Sequence, residues 1–133
     1  MTAFVDTSAF MAFLNSADRY HKEAIAIWRT LLEQDESLVT NNYILVETIA
    51  LLQHRFGFDA TRKLQENVIP LISIHWVDKT LHEQTMAALM TAYRRRLSLV
   101  DCSAMLTMRA LGINQIFTFD PHFTDYGFSP LSQ

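Results

Sequence analysis

Four acidic residues of this chain stand where an ionised carboxylate is costly to keep. Asp6 follows the apolar stretch Ala3, Phe4 and Val5, and Asp120 follows residues 116–119. Glu47 has Tyr43, Ile44, Ala50 and Leu51 as helical neighbours, and Asp101 has Leu97, Ala104 and Met105. A charge on an apolar face is unfavourable unless something pairs with it. No Lys or Arg adjoins any of the four in sequence. A divalent cation shared by all four is the simplest single partner. None of the five His stands at metal-ligand spacing from another or from Cys102, and an oxygen donor set favours Mg²⁺ or Mn²⁺ over Zn²⁺. Each acid alone also has an ordinary reading. Asp101 fits a helix N-cap, Asp6 and Asp120 fit turns at strand ends, and Glu47 fits the partner of a distant Arg.

The hydropathy pattern shows which elements would carry these acids. Buried strands are predicted at residues 3–5, 38–40, 71–76 and 116–119. Helices fall between them. Ser8 caps a short one running to Leu14, and Ala24, Ile27, Trp28 and Leu31 mark one face of the next. Residues 43–56 are apolar almost all round, which predicts a buried helix. Asp59 caps a helix over 59–68 that Pro70 closes. Asp78 caps another, with Met86, Leu89, Met90 and Tyr93 on one face. Val100, Ala104, Met105, Met108 and Leu111 mark the last, stopped by Gly112. Apolar strands alternating with helices predict an α/β fold, a parallel sheet with helices on both faces. Ligands of such a sheet collect at the carboxyl ends of its strands, which is where Asp6 and Asp120 fall. No repeat or linker divides the chain, so residues 1–133 are expected to form one domain.

The totals narrow the chemistry. The chain is 50% hydrophobic and 19% charged, a globular composition. Its net charge of −3 and pI near 5.9 argue against a nucleic-acid binder. That objection weakens where clustered acids hold a cation, because the bound metal reverses the local sign. The longest apolar run, residues 9–14, is too short to cross a bilayer. No signal-peptide pattern opens the sequence, and a lone cysteine suits a reducing cytoplasm. A cytoplasmic protein without membrane contact is expected. There is no G-x-S-x-G elbow, P-loop or G-x-G-x-x-G. A haloacid-dehalogenase-like phosphatase needs a second Asp two residues after the first, where this chain has Ser8. Trp28, Trp76 and the Phe residues read as core.

Four stretches carry a resemblance: FVDTSAF, NNYILVET, SLVDCSAMLTMRALGI and IFTFDPHFTDYGFSPL. In order and wording they resemble the PIN-domain family, covering residues 4–131. The resemblance implies a three-layer α/β/α sandwich and a Mg²⁺- or Mn²⁺-dependent ribonuclease. Many small stand-alone members are VapC-like toxins of toxin–antitoxin modules. Carried over residue by residue, the family's acidic pattern falls on Asp6, Glu47, Asp101 and Asp120 as catalytic metal ligands. Thr7 and Ser8 supply the hydroxyl that often follows the first Asp, and Ser8 is expected to orient a water or the scissile phosphate. Pro121 replaces the basic residue many relatives carry, and His122 is expected to be a loop residue rather than a base. The implied reaction is hydrolysis leaving a 5′-phosphate and a 3′-hydroxyl. Arg94, Arg95 and Arg96 form the only basic run, either cations at a helix C-terminus or a grip on RNA phosphates near Asp101. The implied partners are RNA, a cognate antitoxin and a second copy in a homodimer. Two other readings stay open: a PIN fold kept as a binding or regulatory module, which the presence of all four acids opposes, and a housekeeping nuclease without an antitoxin.

Overall fold

The computed structural model describes residues 1–92 and 97–132. Five strands, β1 (Thr2–Val5), β2 (Ser37–Asn41), β3 (Ser73–His75), β4 (Gln115–Phe117) and β5 (Ser129–Pro130), form one sheet in the order β3-β2-β1-β4-β5. Every pairing is parallel, with Phe4 opposite Val39 on one side and Ile116 on the other. Ala3, Phe4 and Val5 of the central strand are fully buried, which explains a strand apolar on both faces. Helices α1 (Thr7–Leu14), α2 (His21–Glu33), α3 (Asn42–Phe56), α4 (Phe58–Lys63), α5 (Lys79–Ala92), α6 (Leu99–Leu111) and α7 (His122–Asp125) flank the sheet. The expected α/β sandwich with a central parallel sheet is the observed fold.

Two polar ties fix the helices that bear the acids. Asn41 is fully buried at the end of β2. Its Oδ1 accepts from Ile44 N at 2.8 Å, capping α3, while its Nδ2 donates to Ser103 Oγ at 3.2 Å and Thr107 Oγ1 at 3.1 Å on α6. Glu47 and Asp101 thus ride on helices joined through one side chain. Thr48 Oγ1 donates to Thr7 Oγ1 at 3.3 Å and ties α3 to α1. Asn41→Ala removes a cap and buried hydrogen bonds together, an expected loss of about 2–4 kcal/mol. Urea denaturation checks it, as a lower midpoint at unchanged m.

Several expectations are corrected. Ser8 does not cap α1. Asp6 holds that position, without a side-chain cap bond, because Ser8 turns its hydroxyl to the Asp6 carboxylate. Asp59 lies in the first turn of α4, behind Gly57 at φ 79°. The chain then passes through a π turn over Leu64–Val68 and a 3₁₀ turn over Ile69–Leu71, which takes up Leu71 and delays β3 to Ser73. Helix α3 is not buried all round: Ile44, Leu45, Thr48 and Leu52 face inward, but Val46 is 67% exposed, since a helix lying on a sheet buries one stripe. Trp76, just past the edge strand β3, is 68% exposed, and Met90 is 71% exposed; neither belongs to the core. Phe56 and Phe58 are exposed as well, whereas Trp28 packs as expected, stacked on Phe13 at 4.7 Å. Asp120 does not end the last strand, for the short edge strand β5 follows it.

Other signals hold. Asp78 Oδ1 accepts from Leu81 N at 2.9 Å and caps α5, and Gly112 ends α6 in the left-handed region at φ 68°. Tyr93 and the predicted RNA contacts Arg94, Arg95 and Arg96 lie outside the described residues.

Candidate active site

Strand β1 delivers Asp6 to the carboxyl edge of the sheet, where its N–H donates to Phe117 O at 3.1 Å. The side chain is only 4% exposed. Its Oδ2 accepts from Ser8 Oγ at 2.9 Å and from Thr118 Oγ1 at 2.8 Å. Each hydroxyl is held from behind by the backbone: Phe119 N donates to Ser8 Oγ at 2.9 Å, and Asp120 N to Thr118 Oγ1 at 3.0 Å. The loop after β4 is thereby clamped to the start of α1 around one carboxylate. Burial pushes the Asp6 carboxyl up to about 6. The hydroxyls of Thr118 and Ser8 oppose that shift, and the charge of Asp101 adds to it.

Asp101 is the third residue of α6 in a capping box. Its N–H donates to Ser98 Oγ at 3.0 Å, and its Oδ2 accepts from Ser98 N at 3.2 Å. Ser98 is therefore the N-cap, and Asp101 keeps one face toward the cleft. Burial raises the Asp101 carboxyl above its ordinary value; the bonds from Ser98 lower it and the charge of Asp120 raises it. Asp120 Oδ1 accepts from His122 N at 2.9 Å and lies 3.0 Å from His122 Nδ1. Donor atoms of Asp101, Asp120 and His122 all lie within 4.8 Å of one another, so His122 belongs to the acidic cluster in space.

One cleft of about 350 Å³ gathers Asp6, Ser8, Glu47, Asp101 and Asp120. Thr7, Met11, Asp18, Tyr20, Leu51, Arg55 and Phe119 complete its lining. Tyr20 stacks on Phe119 at 4.6 Å and forms one wall. A larger cleft of about 420 Å³ between α5 and α6 is lined mainly by apolar side chains, with Thr91, Cys102, Arg109 and Tyr126 and no acid among the described residues, so it lies apart from the carboxylates. Sequence reasoning missed Asp18, Tyr20, Arg55, Thr118 and Phe119. A signal existed for Arg55, eight residues after Glu47 and so on the same helical face. Thr118 had none, because its partner Asp6 is 112 residues away.

The group whose donor atoms lie close enough to share one ion is Asp101, Asp120 and His122, while Asp6 and Glu47 line the same cleft outside that group; a set made mostly of carboxylate oxygens fits a divalent cation. Among the described residues, no Lys or Arg nitrogen lies within 4.0 Å of Asp6, Glu47 or Asp101. Converging carboxylates without a basic partner are stabilised by a metal ion. Thr118→Val keeps the shape of the residue but strips Asp6 of a hydroxyl donor. It is expected to weaken Mg²⁺ affinity about tenfold, as loss of an orienting partner does. Melting temperatures across a Mg²⁺ titration measure the shift.

Residues 3–129 match the PIN domain, and the chain belongs to the PIN-domain family. The 23S rRNA-specific endonuclease VapC20 of Mycobacterium tuberculosis is 31% identical over 126 residues, 94% of either chain, in strains CDC 1551 / Oshkosh and H37Rv alike. The crystal structure of Mycobacterium tuberculosis VapC20, a sarcin–ricin loop cleaving toxin, matches with a TM-score of 0.88 and 29% identity over 100% of both chains. FitAcB from Neisseria gonorrhoeae shares the fold at a TM-score of 0.71 and 14% identity, covering 99% of this chain and 97% of its own.

Proposed function

We propose that this protein is a Mg²⁺- or Mn²⁺-dependent endoribonuclease, the toxin of a type II toxin–antitoxin module, which cuts 23S rRNA at the sarcin–ricin loop. The observation that carries the reading is the convergence of Asp6, Glu47, Asp101 and Asp120 on one cleft in a chain 31% identical to a 23S rRNA endonuclease. In this reading Asp6, Glu47, Asp101 and Asp120 would hold the cation, whose chemistry when bound would be activation of water and neutralisation of phosphate charge. Ser8 and Thr118 aim Asp6. The Ser8 hydroxyl is engaged by Asp6 and Phe119 N, so Ser8 positions a ligand rather than touching phosphate. Asp120 and His122 brace each other beside Asp101.

The same proposal places the protein in the cytoplasm as one domain over residues 1–133, with a cognate antitoxin and a homodimeric state. Among the described residues no helix is long and apolar enough to cross a membrane. Val46, Trp76 and Met90 leave apolar surface uncovered in the single chain, which suits protein partners. Purified ribosomes incubated with the protein and Mg²⁺, read by primer extension, test the substrate. A single cut in the sarcin–ricin loop is expected. Cuts confined to transfer or messenger RNA would remove the substrate assignment, and no cut with either metal would remove the nuclease reading. Growth arrest on expression, relieved by the product of a small adjoining gene, is the expected mark of a toxin.

A further inference from the structure

We propose that Arg55 is the RNA-phosphate contact of this cleft, binding a backbone phosphate beside the scissile one. The inference rests on the nuclease reading above and adds a residue to it. Helix α3 places Glu47, Leu51 and Arg55 at i, i+4 and i+8, and all three line the acidic cleft. Eight residues of helix span about 12 Å, so Arg55 stands one end of the cleft away from the metal-binding acids. Among the described residues it is the one cation in a lining that includes Asp6, Asp18, Glu47, Asp101 and Asp120. Among those same residues, no carboxylate lies within 4.0 Å of its guanidinium. The residue is exposed in the last turn of α3.

Such a cleft poses a problem to its substrate. A cation held by the acids would neutralise the scissile phosphate alone, leaving neighbouring phosphates to face a lining that also includes Asp18. A guanidinium offers a planar, two-pronged donor matched to phosphate. A second cleft of about 300 Å³ includes Phe56, the next residue, and carries Asn15, Ser16, Asp59 and Lys63 in its lining. The competing role for Arg55 is a cation that stabilises the C-terminus of α3.

Fluorescence anisotropy in Ca²⁺ with two labelled RNA hairpins, one of sarcin–ricin sequence and one scrambled, separates these roles. Arg55→Ala is expected to weaken both hairpins by a similar factor, about tenfold, and to lower the slope of log K against log salt by about 1. Arg55→Lys should restore the slope and part of the affinity, and the melting temperature should hold in both variants. Unchanged affinity and slope with a lower melting temperature would leave only the helix-end role and overturn the inference. Lost antitoxin binding with unchanged RNA binding would assign Arg55 to the protein partner and overturn it equally. A wild-type protein that binds both hairpins and cuts neither in Mg²⁺ would end the sarcin–ricin assignment, while the Arg55 comparison would still decide the contact. A wild-type protein that binds neither would end both.

Discussion

Asp6→Asn is expected to lower RNA cleavage by about a thousandfold or more while making the metal-free protein more stable. The two effects share one cause. The Asp6 carboxylate is buried, with hydroxyl donors on Oδ2 and no basic side chain within 4.0 Å among the described residues. In the proposed reading its charge serves a bound cation, and an amide binds a hard cation far less well. A loss of several kcal/mol of metal-dependent stabilisation is a thousandfold or more in rate. Without metal, the same charge is a burden. A carboxyl moved from 3.8 to about 6 by the fold corresponds to a penalty of about 3 kcal/mol at neutral pH. Asparagine escapes most of it, since its carbonyl still accepts from Ser8 or Thr118. At ten times its Kd, Mg²⁺ should stabilise the wild type by about 1.4 kcal/mol and the variant scarcely at all. Asp101→Asn should silence the enzyme too, with a smaller gain in stability. Its amide oxygen can keep the bond from Ser98 N, but the charge that favours the start of α6 is gone. Melting curves with and without Mg²⁺, beside single-turnover cleavage, read all of these outcomes.

The second large effect is a dependence of metal-free stability on pH. Asp6 binds its proton more tightly folded than unfolded, so between pH 4 and 6 the native state carries the extra proton. Unfolding free energy then falls as pH rises. The contribution is fully present below the unfolded value of 3.8, is lost through the folded value near 6, and stays lost above it. Asp101 is shifted in the same direction and adds to the trend. Denaturant titrations of wild type and Asp6→Asn should therefore agree near pH 4 and separate by about 3 kcal/mol at pH 7.5. Mg²⁺ competes with the same protons, so its stabilisation should be full at pH 7.5 and weak at pH 5. A constant gap between the two proteins from pH 4 to 7.5 would show that Asp6 does not titrate in this range.

The acids were legible because their local surroundings advertise them. Asp6 closes an apolar strand, and Asp101 opens a helix whose next turn is apolar, features contained within a few residues of chain. The parallel sheet was legible for the same reason, since the central strand β1 and its neighbour β4 are apolar on both faces. What escaped depends on crossings between distant segments. Thr118 matters because the loop after β4 meets the start of α1, and no local pattern records that. Strand β5 has two residues, one of them Pro130, which an edge tolerates but an apolar run does not reveal. The exposure of Val46 and Trp76 escaped because hydrophobicity records what a residue prefers, not whether a neighbour arrives to cover it. Arg55 lay between these cases: its helical phase with Glu47 was readable, but not that both face the same cleft.

If the acidic cleft hydrolyses RNA with a bound divalent cation, the end groups of the products will carry its signature. A sarcin–ricin hairpin cut by the purified protein should yield 5′-phosphate and 3′-hydroxyl ends with Mg²⁺ or Mn²⁺, and no product with EDTA or with Asp6→Asn. Ends carrying a 2′,3′-cyclic phosphate, or cleavage that persists in EDTA, would contradict it.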